Sequence, residues 1–178
     1  MPLIAGERLL NGPRMSRKAE ILEGLGGIVP ALRRYSRALA AGAGHALADD
    51  LVQGALQSVG ARIRAKELRP ADLAEAKIEA YAALTAMAAK RLGPASRPAP
   101  RHPPIVHALA ELPFDDRAAL LLVSLEGLGY DSAARILATP REALLSRLMR
   151  ARAALALDGL HSPDVGARRP VSHLRVVK

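Results

Sequence analysis

Apolar residues recur along this chain at steps of three and four, the spacing of one face of an α-helix. Near the C-terminus, Leu144, Leu148, Ala151 and Leu155 follow one another at steps of four, three and four. No segment alternates β-branched and aromatic residues with polar ones, as a half-buried strand would. The pattern therefore predicts an all-α protein.

Glycines and prolines divide the N-terminal half into three or four predicted helices. Ser16 is a candidate cap for a first helix that ends at Gly26-Gly27. A second runs from about residue 28 to 41, with Pro30 tolerated in its first turn, and a third reaches about residue 63. An alanine-rich helix is predicted from about residue 70 to 92.

A proline-rich segment separates the two halves. Five of the thirteen prolines lie in residues 93–104, and such stretches are extended and semi-rigid. We therefore predict two small helical domains, residues 1–92 and 105–158, joined by a linker at 93–104. Residues 159–178 are predicted to be a basic, disordered tail.

Composition adds charge and compartment to this picture. The formal net charge is +9, which favours a polyanionic partner, although a codon bias toward Arg and Ala would produce the same surplus. The chain has no cysteine, so disulfides and thiolate zinc sites are excluded. It shows neither a secretory signal nor an apolar run of about 18 residues, so we expect a cytoplasmic protein with no membrane partner.

Two short helices in close succession predict a helix-turn-helix. Residues 130–137 form a two-turn helix, and Thr139-Pro140-Arg141-Glu142 fits a capping box that opens the next one. The second helix of such a motif can enter the major groove of DNA. An ordinary helical hairpin with a solvated arginine face fits the same spacing.

The C-terminal pattern resembles region 4 of the extracytoplasmic-function sigma factors. The family elements present are Leu112-Pro113, Arg117, the run from Glu126 to Tyr130, Ala133-Ala134, and the closing run from Ser146 to Arg152. The resemblance covers about 45 residues, from 109 to 155, without a gap. It implies a helix that reads the −35 promoter element.

A second segment, residues 29–59, resembles region 2 of the same family. The run from Ala48 to Gln53 stands where that family places its polymerase-binding helix. The run from Pro30 to Leu39 is most similar to the alphaproteobacterial general-stress branch, including the sigma-like domain of its response regulator. The resemblance implies RNA polymerase core, promoter DNA and an anti-sigma factor as partners.

The resemblance also implies three groups of site residues. The −35 group on the recognition helix comprises Pro140, Arg141, Glu142, Ser146, Arg147 and Arg150. The −10 group is a basic loop with Arg62, Arg64, Lys66 and Arg69. The polymerase-binding group comprises Asp49, Asp50, Leu51 and Gln53, of which Asp49 and Asp50 are also simple helix-start residues and Leu51 also fits a core position.

The sequence departs from the family pattern where promoter DNA is melted. The helix from Glu75 to Gly93 usually carries Trp, a second aromatic and Asn, whereas here Tyr81 is its single aromatic residue. Two hypotheses follow: a sigma factor that initiates transcription, or a sigma-like decoy that binds an anti-sigma factor without starting transcription.

Catalysis and membrane association are weaker interpretations. The five histidines have no metal-binding spacing, and the chain has no phosphate-binding glycine loop. No cofactor, metal or enzymatic activity is therefore predicted. A basic helix on a membrane surface is disfavoured because it would lack aromatic anchors.

Overall fold

In a computed structural model, the chain is described over residues 17–92 and 102–161, with side chains described up to residue 156. These residues form eight α-helices and no strand, which confirms the predicted all-α class. The helices are α1 (Arg17–Gly27), α2 (Val29–Ala40), α3 (His45–Arg64), α4 (Leu73–Arg91), α5 (Pro104–Glu111), α6 (Phe114–Leu120), α7 (Tyr130–Ile136) and α8 (Arg141–His161). Ser16, most of the proline-rich segment and residues 162–178 lie outside the described residues, whereas residues 159–161, predicted as the start of the tail, continue α8.

The N-terminal helices pack around α3 and α4, which lie against each other, while α2 and α1 cover them. Tyr35 of α2 and Tyr81 of α4 meet edge to face, with ring centroids 5.4 Å apart. Thr85 donates its hydroxyl hydrogen to the Tyr81 carbonyl at 2.8 Å, so Tyr35 is the donor in the 2.9 Å bond between its own hydroxyl and Thr85. Burial raises the pKa of Tyr35, which therefore stays a neutral donor.

The C-terminal helices pack α6 and α7 against α8. A π-helical turn, Leu121–Leu125, continues α6. Its backbone hydrogen bonds span five residues, where those of an α-helix span four. The Glu126 amide donates to the Leu121 carbonyl at 3.0 Å and closes this turn. Gly127 then reverses the chain at φ +65°, a backbone conformation that a Cβ disfavours.

The two halves contact each other through several helices. α4 packs against α7, and α2 packs against α5, α6 and the π-helical turn. Buried side chains of both halves belong to one continuous hydrophobic cluster, which includes Leu51 and Leu84 from the first half and Leu122, Leu144 and Leu148 from the second. The shortest polar contacts between the halves are the hydrogen bonds that Glu126 accepts from Arg34 and Tyr81.

Candidate nucleic-acid and protein interfaces

A groove between α2 and α3 collects three of the four predicted polymerase-binding residues. Asp49, Asp50 and Gln53 line it, over an apolar floor that includes Val29 and Leu56. Asp50 and Gln53 are exposed. The groove therefore presents carboxylate and amide acceptors beside apolar surface, a combination suited to a partner helix with basic residues.

Two of the four predicted polymerase-binding residues make contacts within the protein itself. Leu51 is completely buried, so its prediction as a contact is corrected: its side chain belongs to the core. Asp49 lies 3.4 Å from Arg33 and 3.5 Å from Arg37, both on α2. These exposed ion pairs contribute little to stability and leave the Asp49 carboxylate accessible.

The predicted basic loop is corrected in part, because Arg62 and Arg64 lie in the last turn of α3 and only Lys66 and Arg69 follow that helix. Arg62 pairs with Glu79 at 3.6 Å, and the Arg69 Nε donates to the Lys66 carbonyl at 3.3 Å. Arg64 and Lys66 are exposed, and neither has an ion pair within the described ranges 17–92 and 102–156. Lys66 takes φ +64°, which turns the chain out of α3.

Tyr81, the single aromatic residue of the predicted melting helix, is inaccessible. Its relative exposure is 0%, and its hydroxyl donates to Glu126 Oε2 at 2.7 Å. A base can stack only on an exposed ring. In this structure Tyr81 therefore offers no surface to an unpaired base.

The helix-turn-helix forms as predicted, from α7 and α8. Ala138 turns the chain between them at φ +47°, and the Thr139 amide donates to the Ala134 carbonyl at 3.0 Å. The predicted capping box does not form: among the described residues no backbone N–H donates to the Thr139 hydroxyl oxygen, and α8 begins at Arg141, one residue after Pro140. Ser146 donates to the Glu142 carbonyl at 3.0 Å, within its own helix.

Each predicted DNA-contacting arginine of α8 is matched with an aspartate of another helix. Arg141 lies 2.7 Å from Asp131 of α7, and Arg147 lies 3.0 Å from Asp115 of α6. The Arg141 guanidinium also stacks over the Tyr130 ring, 5.7 Å from its centroid. The positive charge that would meet phosphate is therefore neutralised from within the fold.

Arg150 makes the most complete of these pairs. Its Nε and Nη2 donate to the two carboxylate oxygens of Asp116 at 2.9 and 2.6 Å. The Asp116 side chain is only 5% exposed, and its hydrogen bonds raise the pKa of Arg150. This arginine is thus a structural link between α6 and α8 rather than a free phosphate ligand.

Arg117, an element of the family pattern, is also structural. It is 4% exposed and donates from Nη1 to the carbonyls of Leu109 and Ala110 at 3.0 and 3.4 Å, at the end of α5. Burial lowers its pKa, and its Nε has no hydrogen-bond partner among the described residues. The carbonyl end of a helix is a favourable place for this cation.

Comparison with known families identifies the C-terminal half. Residues 104–155 match the family model described as sigma-70, region 4. The C-terminal half is thus similar to a sigma-70 region 4. A comparison of the whole sequence with curated proteins gave no match.

Two solved structures share the fold of the chain. The sigma factor RpoE from Bartonella quintana, crystallised with the anti-sigma factor NepR, superposes with a TM-score of 0.60 at 24% identity, over 80% of this chain and 98% of RpoE. The anti-anti-sigma factor PhyR from the same organism, also complexed with NepR, gives a TM-score of 0.58 at 18% identity, over 76% of this chain. This chain spans 49% of the length of PhyR. The region 4 match and the shared fold together confirm the resemblance to extracytoplasmic-function sigma factors that the sequence predicted.

Region 4 of this chain is electrically neutral. It contains no lysine and has six arginines against six acidic residues, so the surplus of +9 lies elsewhere in the sequence. Duplex binding depends on cations that neutralise phosphates. Among the described arginines of α8, Arg152 is exposed and has no ion pair with another described residue.

Glu126 is the site residue that sequence analysis missed. It belongs to the family run from Glu126 to Tyr130, but the pattern assigned no role to its carboxylate. In the structure it is 2% exposed and accepts from Arg34 and Tyr81 of the N-terminal half. A single acidic residue directly after a leucine-rich helix was the available signal.

Two kinds of feature, a membrane-spanning helix and a metal-binding cluster, are absent from the described residues. Within residues 17–92 and 102–161 no helix is long and apolar enough to cross a membrane. The same part of the chain contains no cluster of three or more His, Asp or Glu side chains arranged to hold a metal ion.

Proposed function

We propose that this chain is a non-enzymatic, sigma-like regulator that binds an anti-sigma factor of the NepR kind and does not itself open promoter DNA. The observation that carries the proposal is the pairing of Arg141, Arg147 and Arg150 with aspartates inside a region 4 of zero net charge. To contact phosphates, Arg141 and Arg147 would have to leave partners that lie 2.7 and 3.0 Å away. That exchange removes much of the electrostatic gain of DNA binding.

The burial of Tyr81 supports the same conclusion from the other half. Stabilising an open strand by stacking is worth about 1–3 kcal/mol per base, and the melting helix has no exposed aromatic side chain with which to supply it. An anti-sigma factor needs neither stacking nor phosphate contacts. It needs helical surfaces with apolar and polar positions, such as the α2–α3 groove.

The comparisons favour this kind of partner. Both similar structures are complexes with the anti-sigma factor NepR, although one binder is a sigma factor and the other an anti-anti-sigma factor. A chain that occupies an anti-sigma factor without initiating transcription would release a competent sigma factor. We infer partner switching of this type as the biochemical role.

A sigma factor that initiates transcription is the second candidate, and the α2–α3 groove favours it. Asp50 and Gln53 are exposed there, on the segment that resembles the polymerase-binding helix. Arg64 at the end of α3 and Lys66 just after it are also exposed, so this half has side chains that would contact RNA polymerase core and promoter phosphates.

The deciding experiment compares transcription with release of inhibition. The purified chain is added to core RNA polymerase on general-stress promoters, and separately to a competent sigma factor inhibited by a NepR-type anti-sigma factor. We expect no transcripts in the first assay and restored transcripts in the second. Promoter-specific transcripts with core polymerase alone would establish the sigma factor instead, and failure in both assays would exclude both roles.

A matched variant separates the two candidates further. Replacing Asp50 and Gln53 with alanine removes polar acceptors from an exposed surface, with little effect on the core. If the chain is a sigma factor, capture of core polymerase should weaken. If transcripts appear and capture is unchanged, the groove is not the polymerase-binding surface.

A further inference from the structure

The carboxylate of Glu126 joins three elements that are distant in sequence. Arg34 of α2 donates from Nε at 3.0 Å and from Nη2 at 2.8 Å, and Tyr81 of α4 donates from its hydroxyl at 2.7 Å. The π-helical turn after α6 carries Glu126 into this position. One region 4 side chain is thus held by two helices of the N-terminal half.

The burial of this carboxylate makes its partners necessary. The Glu126 side chain is 2% exposed, and a buried charge is tolerated only when it is paired and hydrogen-bonded. Hydrogen bonding to Glu126 raises the pKa of Arg34, so its guanidinium keeps its charge. Separation of the halves would break all three hydrogen bonds together.

The other polar pair between the halves is much weaker. Arg135 of α7 lies 3.5 Å from Glu75 of α4, and both side chains are exposed, at 55% and 38%. Exposed pairs of this kind contribute at most about 1 kcal/mol. Among the described residues, the hydrogen bonds of Glu126 with Arg34 and Tyr81 are therefore the strongest polar contacts that oppose separation of the two halves.

We propose that Glu126, Arg34 and Tyr81 form a latch that holds region 4 closed on the N-terminal helices and thereby positions the two halves for an anti-sigma factor. The statement that the latch positions the halves for an anti-sigma factor rests on the proposed function, whereas the existence of the latch does not. A sigma factor must place its two DNA-binding regions on separate promoter elements. The latch opposes that separation and favours a partner that contacts both halves at once.

The latch is tested in the free protein by a distance measurement. The chain contains no cysteine, so Glu23→Cys on α1 and Ala153→Cys on α8, both at exposed positions, give one spin label on each half. Pulsed electron paramagnetic resonance then reports the closed fraction. We expect one narrow distance distribution in the parent and a second, longer population after Glu126→Gln, which removes the charge at constant shape.

Two further variants of the latch and one control keep the test interpretable. Arg34→Gln should open the molecule at least as far, because it leaves a buried carboxylate with a single tyrosine donor. Tyr81→Phe removes only a hydroxyl group and should give a smaller shift, with helical content unchanged by circular dichroism. Arg135→Ala is the matched control, since it breaks the exposed pair across the same interface, and its distances should equal those of the parent.

The outcome against the latch is clear. If folded Glu126→Gln and Arg34→Gln proteins keep the parent distance, apolar packing alone holds the halves together. The same is true if Arg135→Ala opens the molecule as far as they do.

Binding to the NepR-type anti-sigma factor tests the second clause separately. If the closed form is the competent one, the apparent Kd rises by the inverse of the closed fraction, so a closed fraction of about one tenth gives about tenfold weaker binding. Unchanged Kd values in an opened variant would remove the link to the partner and leave the latch. No binding by the parent would instead count against the proposed function.

Discussion

Ala138 carries backbone strain at the centre of the helix-turn-helix. Its φ of +47° is left-handed, and an L-residue with a Cβ pays about 1–2 kcal/mol there. Because glycine lacks this penalty but loses more entropy on folding, we expect Ala138→Gly to raise the free energy of unfolding by about 0.5–1 kcal/mol. Urea denaturation measures the change.

The matched control for this substitution is Ala153→Gly, at an exposed position inside α8. There the same chemical change should lower the free energy of unfolding by about 1 kcal/mol, since glycine is a poor residue for a helix interior. Equal losses at both positions would show that Ala138 is not strained. The sequence predicted a tight turn between the two helices, but only the backbone shows that Ala138 adopts a conformation that favours glycine.

At the scale of the element, the arginines of α8 are paired with aspartates of neighbouring helices. We expect Asp115→Asn with Asp131→Asn to free Arg147 and Arg141 for phosphate and so to strengthen non-specific binding to duplex DNA. The salt dependence should steepen by up to about 1.8, at roughly 0.9 per phosphate neutralised. Fluorescence anisotropy of a labelled duplex across a salt series measures the slope.

The control for that experiment adds the same charge elsewhere. Asp50→Asn with Glu67→Gln also removes two negative charges, but neither of these exposed carboxylates has an ion pair with another described residue. If both double variants steepen the slope equally, overall charge governs DNA binding and the pairs on α8 have no special part in it.

The helices themselves were largely predictable, whereas their partners were not. Apolar spacing and the bounding glycines and prolines placed α2, α3, α4 and α8 to within a few residues, because those signals are local. The pairing of Arg150 with Asp116 joins residues 34 positions apart and depends on how α6 packs on α8. Asp115 and Asp116 lie in the first turn of α6, and nothing local in the sequence assigns either one to an arginine.

At the scale of the whole molecule, the contact between the halves was beyond the sequence. Periodicity identifies which face of a helix is apolar, but not whether that face meets its own domain or another. Glu126 illustrates this, since its donors Arg34 and Tyr81 lie 92 and 45 residues away. The sequence predicted two modules and a linker; the described residues show how strongly those modules are packed together.

This packing predicts coupled opening of the two halves. Because Leu51 of α3 and Leu148 of α8 belong to one buried cluster, we expect their amides to exchange hydrogen with the same free energy of opening, that of global unfolding. In Glu126→Gln the α8 amide should exchange faster than the α3 amide, since region 4 can then separate first. Native-state hydrogen exchange with mass spectrometry measures both. Different opening free energies in the unmodified chain would mean that the two halves unfold as separate cooperative units, although their buried side chains form one cluster. The halves would then respond to a partner independently.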